Sequence, residues 1–192
     1  ATEDARFYEH SGIDGRGTMR AIVSLGTSGG ASTLTQQLAK QLFHGEGSKF
    51  LPFRIVQKIK EWIIAIRLER QYTKNEIIAM YCNVYDFGNN SVGVSSAAKT
   101  YFSKAPKDLT IEESALLVGM VNKPTRFNPV VNPELSLKRR NHVLNQMRKY
   151  NYLSETQYDS IVKIPIQLSY SSDEIASGLA PYFRDMLRRI MS

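Results

Sequence analysis

The stretch GGASTLTQQLAKQLF, residues 29–43, decides the fold and supports two readings. Two glycines and small hydroxyl residues lead into a helical pattern, with Leu34, Leu38 and Leu42 at i, i+4 and i+8. Ser32 or Thr33 stands where a helix N-cap is expected. With MRAIVSLG before it and TSGGAS as the break, the pattern has the outline of a helix-turn-helix whose second helix reads base edges. The same residues also suit a polar cradle. Gly29 and Gly30 let backbone approach a ligand closely, and Ser32, Thr33 and Thr35 supply hydroxyls. Gln36 and Gln37 add amides and Lys40 a cation, at i, i+3 and i, i+4 spacings that share one side of a helix.

Bulk composition narrows the partner without naming it. A chain of 192 residues with 42% hydrophobic and 22% charged residues is an ordinary globular one. It is long enough for one well-cored domain, or a main lobe with a smaller one attached. A net charge of +7 and a pI near 9.5 favour an anionic partner: nucleic acid, phospholipid headgroups or a diphosphate-bearing substrate. The lone Cys82, in the apolar run IIAMYCNVY, excludes an intrachain disulfide and reads as a packing residue. No run of about 18 apolar residues occurs, so no bilayer-spanning helix is expected within the chain, nor a signal peptide. The chain opens without an initiator Met, and a targeting or membrane segment upstream is an expectation.

The periodicity is helical nearly throughout. GTMRAIVSLG places Met19, Ile22 and Val23 on one face, and a long helix is expected over 54–71. That helix would carry Ile55, Ile59, Trp62, Ile63, Ile66 and Arg70 along one broad side. Between these, HGEGSKFLPF reads as a mobile loop with an apolar tip. Thr73-x-x-Glu76, Thr110-x-x-Glu113 and Ser154-x-x-Gln157 are capping-box patterns that start helices. VGVSSAAKTYF and SLKRRNHVLNQMRKY are further amphipathic segments, KIPIQLSY alternates like a strand, and APYFRDMLRRIM restarts a helix. The expected fold class is mostly α.

Three charged constellations stand out. In EDARFYEHSG, a helical reading would put Glu3, Phe7 and His10 on one face. A carboxylate beside an aromatic ring and a histidine is a route to a general base, although an acidic helix start would look the same. In RIVQKIKEWIIAIRLER, Arg54, Lys58 and Glu61 fall at i, i+4 and i+7, with Lys60 about 100° round from Glu61. A row of cations with one acid suits a phosphate-bearing leaving group, while a solvated face with i, i+4 pairs is the plainer alternative. The cluster Lys138, Arg139, Arg140, Arg148 and Lys149 reads as structural or surface, anchoring a neighbouring helix end or meeting anionic lipid. His44 and His142 are isolated, and no zinc-hydrolase spacing occurs. The acids of EDARFYEH and Glu61 repel phosphate backbones, which weighs against a nucleic-acid reader.

Taken in order, these segments resemble the peptidoglycan glycosyltransferases of family 51, found as monofunctional transglycosylases and in class A penicillin-binding proteins. EDARFYEHSGID resembles the family's first motif and GGASTLTQQLAK the second, with Ala31 inserted. QKIKEWIIAIRLE resembles the third, KNEIIAMYCNVYDFG the fourth and RRNHVL the fifth. Gln57 stands where the third motif usually has Arg, and Cys82 where the fourth has Leu.

The resemblance implies a lysozyme-like, mostly α fold with a small flexible jaw lobe at about 44–57. The domain would cover 1–163, with 164–192 a linker toward a transpeptidase domain of a bifunctional parent. The implied substrate is lipid II, a disaccharide-pentapeptide on undecaprenyl diphosphate. It would be polymerised by inverting transfer that forms β-1,4 bonds and releases the lipid diphosphate. By position, Glu3 would be the general base and Glu61 would act on the donor side. Ser32, Gln36, Gln37 and Lys40 would line the donor site, with Arg54, Lys58 and Lys60 meeting the diphosphate. Asp4 is a candidate metal ligand for an implied Mg²⁺ or Mn²⁺. The implied setting is the inner membrane with the site on its outer face. There the jaw loop would touch the membrane, the growing glycan strand and cell-wall synthesis machinery would be partners, and nucleic acid would not. A lysozyme-like hydrolase on the same glycan is less suited, because it needs an acid where this chain has a basic row.

Overall fold

The computed structural model describes residues 2–15, 32–43, 51–121 and 123–170. They are mostly helical, as expected, and no strand occurs among them. Among the described residues, pairing is limited to one isolated antiparallel bridge between Asp86 and Val92. The expected helix over GTMRAIVSLG, the loop residues 44–50 and the last helix lie outside the described residues. No described helix is long and apolar enough to cross a membrane.

The chain divides into two compact units, Ala1–Tyr85 with His142–Asp159, and Asp86–Asn141 with Ser160–Ser192. The first holds α1 (Leu34–Phe43), α2 (Leu51–Gln71) and α3 (Lys74–Val84), with α1 packed on both α2 and α3. Phe7, Leu38, Ala39, Ala65, Leu68, Ile77 and Tyr81 form its core. Helix α2 starts at Leu51, so the end of the predicted loop is the first turn of the long helix. Its buried side is also not the one the apolar spacing suggested. Ile59 and Ile63 are exposed, whereas Glu61, Ala65 and Leu68 face inward.

In the second unit, α4 (Val94–Phe102) and α5 (Ile111–Met120) surround Ala97, Ala98, Tyr101, Leu116, Leu117 and Met120. Helix α6 (Pro133–Lys149) begins in this unit and ends in the first, and α7 (Glu155–Ile161) follows. All three capping boxes form. The Thr73 and Thr110 side chains each accept the N–H of a glutamate that returns the bond. Ser154 and Gln157 do the same at α7.

The expected strand is a correction. Residues 164–170 are non-regular and are tied to the second unit singly, through Arg140 to the Ile164 carbonyl and Ser169 N–H to the Tyr101 carbonyl. With no partner strand among the described residues, the alternating pattern has no ladder there to join. These residues, assigned from sequence to the start of a linker, are thus held within that unit. Arg140 is buried and also donates to the Val162 carbonyl and the Asn141 side chain. Desolvation pushes its pKa down, partly countered by Glu112. It is an anchor for the chain that follows α7.

Candidate active site

The segment holding Glu3 is a short turn rather than a helix. Only Phe7–Glu9 form a 3₁₀ turn, so the expected Glu3–Phe7–His10 face is replaced by a folded loop. Phe7 N–H donates to the Asp4 carbonyl at 3.3 Å, and the Phe7 ring is buried edge-on to Tyr8 and His10. Arg6 donates to the Asp14 carboxylate at 2.7 Å.

Asp4 joins this loop to α1. Its Oδ2 accepts the Leu34 N–H at 3.1 Å and lies 2.9 Å from His10 Nε2. A carboxylate at a helix N-terminus is favoured by the unpaired N–H groups and the helix dipole. Both the Asp4 and His10 side chains are nearly buried. This setting does not fit a divalent ion at Asp4: the oxygen is engaged by donors, and an ion there would face the N-terminal N–H groups of α1. No cluster of three or more His, Cys, Asp or Glu residues arranged for a metal occurs among the described residues.

The polar residues of the opening stretch divide into two sets. Thr33 and Gln36 are buried. Thr33 Oγ1 donates to the Gly12 carbonyl at 2.7 Å and accepts the Gln36 N–H at 3.2 Å, which caps α1. Gln36 Nε2 donates to the same Gly12 carbonyl at 3.1 Å, and only 1% of the residue is exposed. Gln36 was expected to line the donor site; it instead braces α1 against the Glu3 loop. Gly12 is required there. Its φ is +88°, and an added Cβ would lie 3.0 Å from the backbone of Ala65 on α2. Thr35 is also buried and donates to Glu69 Oε1 at 2.5 Å.

The second set faces outward or toward α2 and α3. Ser32 Oγ accepts from Lys58 Nζ at 2.8 Å, and Lys58 Nζ is 2.9 Å from Glu61 Oε2. The Lys58 side chain is 38% exposed and that of Glu61 11%. An ammonium held by two acceptors, yet more than a third exposed, is fixed in position and still has a donor open to solvent. Gln37 Oε1 accepts from the Tyr81 hydroxyl at 2.9 Å. Burial, then Tyr85 and the nearby Glu3 carboxylate, push the Tyr81 hydroxyl well above its usual range. It therefore stays protonated and donates. Lys40 and Lys60 are exposed, and Arg54 lies on α2 with its side chain outside the described residues.

The structure thus brings together Ser32, Lys58 and Glu61 as a bonded group, and Gln37 with Tyr81 near Glu3. It withdraws Gln36 and Asp4 into the frame. Sequence reasoning missed Tyr81 and Lys74 as supports of this region. Lys74 donates both to Glu69 and to the His10 carbonyl, and the acid that closes the third motif was the available signal for it.

The order of these parts is that of a known family. The family model described as Transglycosylase matches residues 1–148, and the chain belongs to that family of glycosyltransferases. Its relatives are penicillin-binding proteins. It is 40% identical to Penicillin-binding protein 1A of Escherichia coli (strain K12), over 100% of this chain and 22% of that protein. It is 42% identical to Penicillin-binding protein 1F of Bacillus subtilis (strain 168), over 80% of this chain and 21% of that one. The chain therefore spans about a fifth of the length of these relatives. The crystal structure of Penicillin-Binding Protein 1A from Haemophilus influenzae aligns with 83% of this chain and 19% of that one, at 27% identity and a TM-score of 0.49.

Proposed function

We propose that this chain is the glycan-polymerising domain of a class A penicillin-binding protein and acts on lipid II. The single observation that carries the reading is the Lys58 ammonium, bonded to Ser32 and Glu61 in the same compact unit as Glu3. Family membership supports the reaction class.

In the proposed step, the 4-hydroxyl oxygen of the acceptor sugar attacks the anomeric carbon of the donor. Glu3 takes the hydroxyl proton as the new β-1,4 bond forms, and the bond from the anomeric carbon to the phosphate oxygen breaks. Undecaprenyl diphosphate leaves with the electron pair. Lys58 stabilises the charge gathering on the diphosphate, with Lys60, Lys40 and Arg54 as the further cations that the family resemblance assigns to the donor side, so no protonated acid is needed at the leaving group. Glu61 holds Lys58 in place on the donor side. Attack and departure on opposite faces of the carbon give inversion.

The proposed setting is the outer face of the inner membrane, with a transpeptidase domain following in the same polypeptide. Exposed Phe53 and Val56 within the 44–57 region, and Leu42 and Phe43 at the end of α1 just before it, support contact with lipid there.

Labelled lipid II in detergent tests the reading. The unaltered protein is expected to make glycan polymer, and Glu3→Gln to slow it by roughly 10²–10⁴-fold, the usual range for losing a general base. Comparable polymer from both would remove Glu3 from the role of base.

A further inference from the structure

Lys74 occupies a position that helix electrostatics disfavour. It is the first residue of α3, directly after the Thr73 cap, where a cation meets the positive end of the helix dipole. Something other than its own helix must hold it there, and the surroundings of its ammonium show what. Lys74 Nζ lies 2.5 Å from the His10 carbonyl oxygen and 2.8 Å from Glu69 Oε2. It also sits 4.3 Å from the centroid of the buried Phe7 ring, in cation–π geometry. Glu69, in turn, accepts the Thr35 hydroxyl. One charge pair therefore ties the Glu3 loop to α1, α2 and α3.

We propose that Lys74 is a positioning residue for glycosyl transfer: it clamps the far end of the 3–10 segment so that Glu3 is aimed at the acceptor hydroxyl. This rests on the reading of Glu3 as the base. Two of the contacts that hold the segment lie at its ends. Near Glu3, Asp4 bonds the Leu34 N–H; at the other end, Lys74 bonds the His10 carbonyl and covers Phe7. Releasing the second removes the bond to the His10 backbone and the cation over Phe7. Between Asp4 and the Gly12 carbonyl, held by Thr33 and Gln36, the loop then gains room to shift. A base must stand about 2.6–3.2 Å from the proton it takes. A misplacement of about 1 Å can cost about 100-fold in rate.

A purely structural pair is the alternative, and charge bookkeeping separates the two. Lys74→Met alone leaves the Glu69 carboxylate buried without its cation, so its unfolding midpoint is expected to fall. The double variant Lys74→Met/Glu69→Gln removes both charges, and the midpoint is expected to recover. The hold on His10 does not recover with it. At saturating lipid II the double variant should turn over about 100-fold more slowly, with KM near that of the unaltered protein. Lys74→Arg keeps donors for both carboxylate and carbonyl and should restore most of the turnover.

Hydrogen exchange gives a readout without substrate. Amides of residues 3–10 should exchange faster in the double variant while those of α1 and α3 stay protected. A double variant with full turnover, a loss confined to KM, or unchanged exchange over 3–10 each overturns the clamp. If the unaltered protein makes no polymer from lipid II, the reading of the site fails as well, which the other outcomes leave intact.

Discussion

The first unit contains two lysine–glutamate pairs of nearly equal length and opposite character. Lys58 and Glu61 are 2.9 Å apart within one helix, and Lys74 and Glu69 are 2.8 Å apart across two. Lys58 is 38% exposed and Lys74 21%, while Glu69 is reduced to 5%. The partners differ more than the exposures. Lys58 has a carboxylate and one hydroxyl, and it faces the solvent from which a ligand would arrive. Lys74 has a carboxylate, a carbonyl and an aromatic face, which together satisfy an ammonium from within the protein. The lesson is that length says little about an ion pair's use. A cation serves a ligand when its surroundings leave it something to offer.

That contrast can be broken by exchanging the treatment of the two acids. Glu61→Gln should lower turnover by roughly 10²–10³-fold, the range for removing a preorganised electrostatic element, with little change in unfolding midpoint. Glu69→Gln should do the reverse. Unfolding in urea should show a loss of about 3 kcal/mol, because Lys74 keeps its charge without its carboxylate, and turnover should fall far less. If Glu61→Gln unfolds the protein while Glu69→Gln abolishes polymerisation, the two pairs have been assigned the wrong way round.

Lys58→Ala sharpens the contrast on the ligand side. If Lys58 meets the diphosphate as proposed, Lys58→Ala should lower turnover at least as far as Glu61→Gln, and the lost charged hydrogen bond, worth about 1.5–3 kcal/mol, should also raise KM about tenfold or more. The KM of the unaltered protein should also rise more with added salt than that of the variant, since the partly exposed charge is the one screened.

How much of this was visible in the sequence depends on the range of each interaction. The capping boxes at Thr73, Thr110 and Ser154 span three residues, so the pattern alone located three helix starts. The Ser32, Lys58 and Glu61 group was reachable through motif order, which encodes contacts that spacing cannot. The failures lie where a polar residue found a distant partner. Gln36 looked like part of an outward wall because Leu34, Leu38 and Leu42 seemed to define the buried side. In the fold Leu42 is exposed, while Thr35 and Gln36 turn inward to Glu69 and the Gly12 carbonyl, 34 and 24 residues away. A buried amide or hydroxyl is tolerated once it is bonded, and no local pattern predicts that bond. Ile59 and Ile63 misled in the same way, since one side of α2 carries more apolar residues than the core uses. Lys74 and Glu69, five residues apart across a helix break, have no helical spacing to reveal them.

A third pair, in the second unit, gives the smallest expected effect and sets the scale for the other two. Lys104 and Glu113 are 2.8 Å apart, with exposures of 37% and 16%. By distance and exposure this pair resembles Lys58–Glu61, but Glu113 also accepts the Thr110 N–H as half of the α5 capping box. Burial pushes the Glu113 carboxyl up, and the bonds from Lys104 and Thr110 outweigh it, holding the pKa below the ordinary 4.5. A carboxylate with a depressed folded pKa contributes its full stabilisation above the ordinary value and loses it as pH falls through the folded one. Lys104→Met should therefore lower stability by no more than about 1 kcal/mol near neutral pH, and the difference should shrink as Glu113 protonates in acid. Urea unfolding across that range reads the effect directly. Turnover on lipid II near neutral pH should be unchanged, because this pair lies in the unit that holds none of the proposed site residues. A turnover loss in Lys104→Met without a matching loss of stability would show that exposure and distance had, after all, marked a working cation.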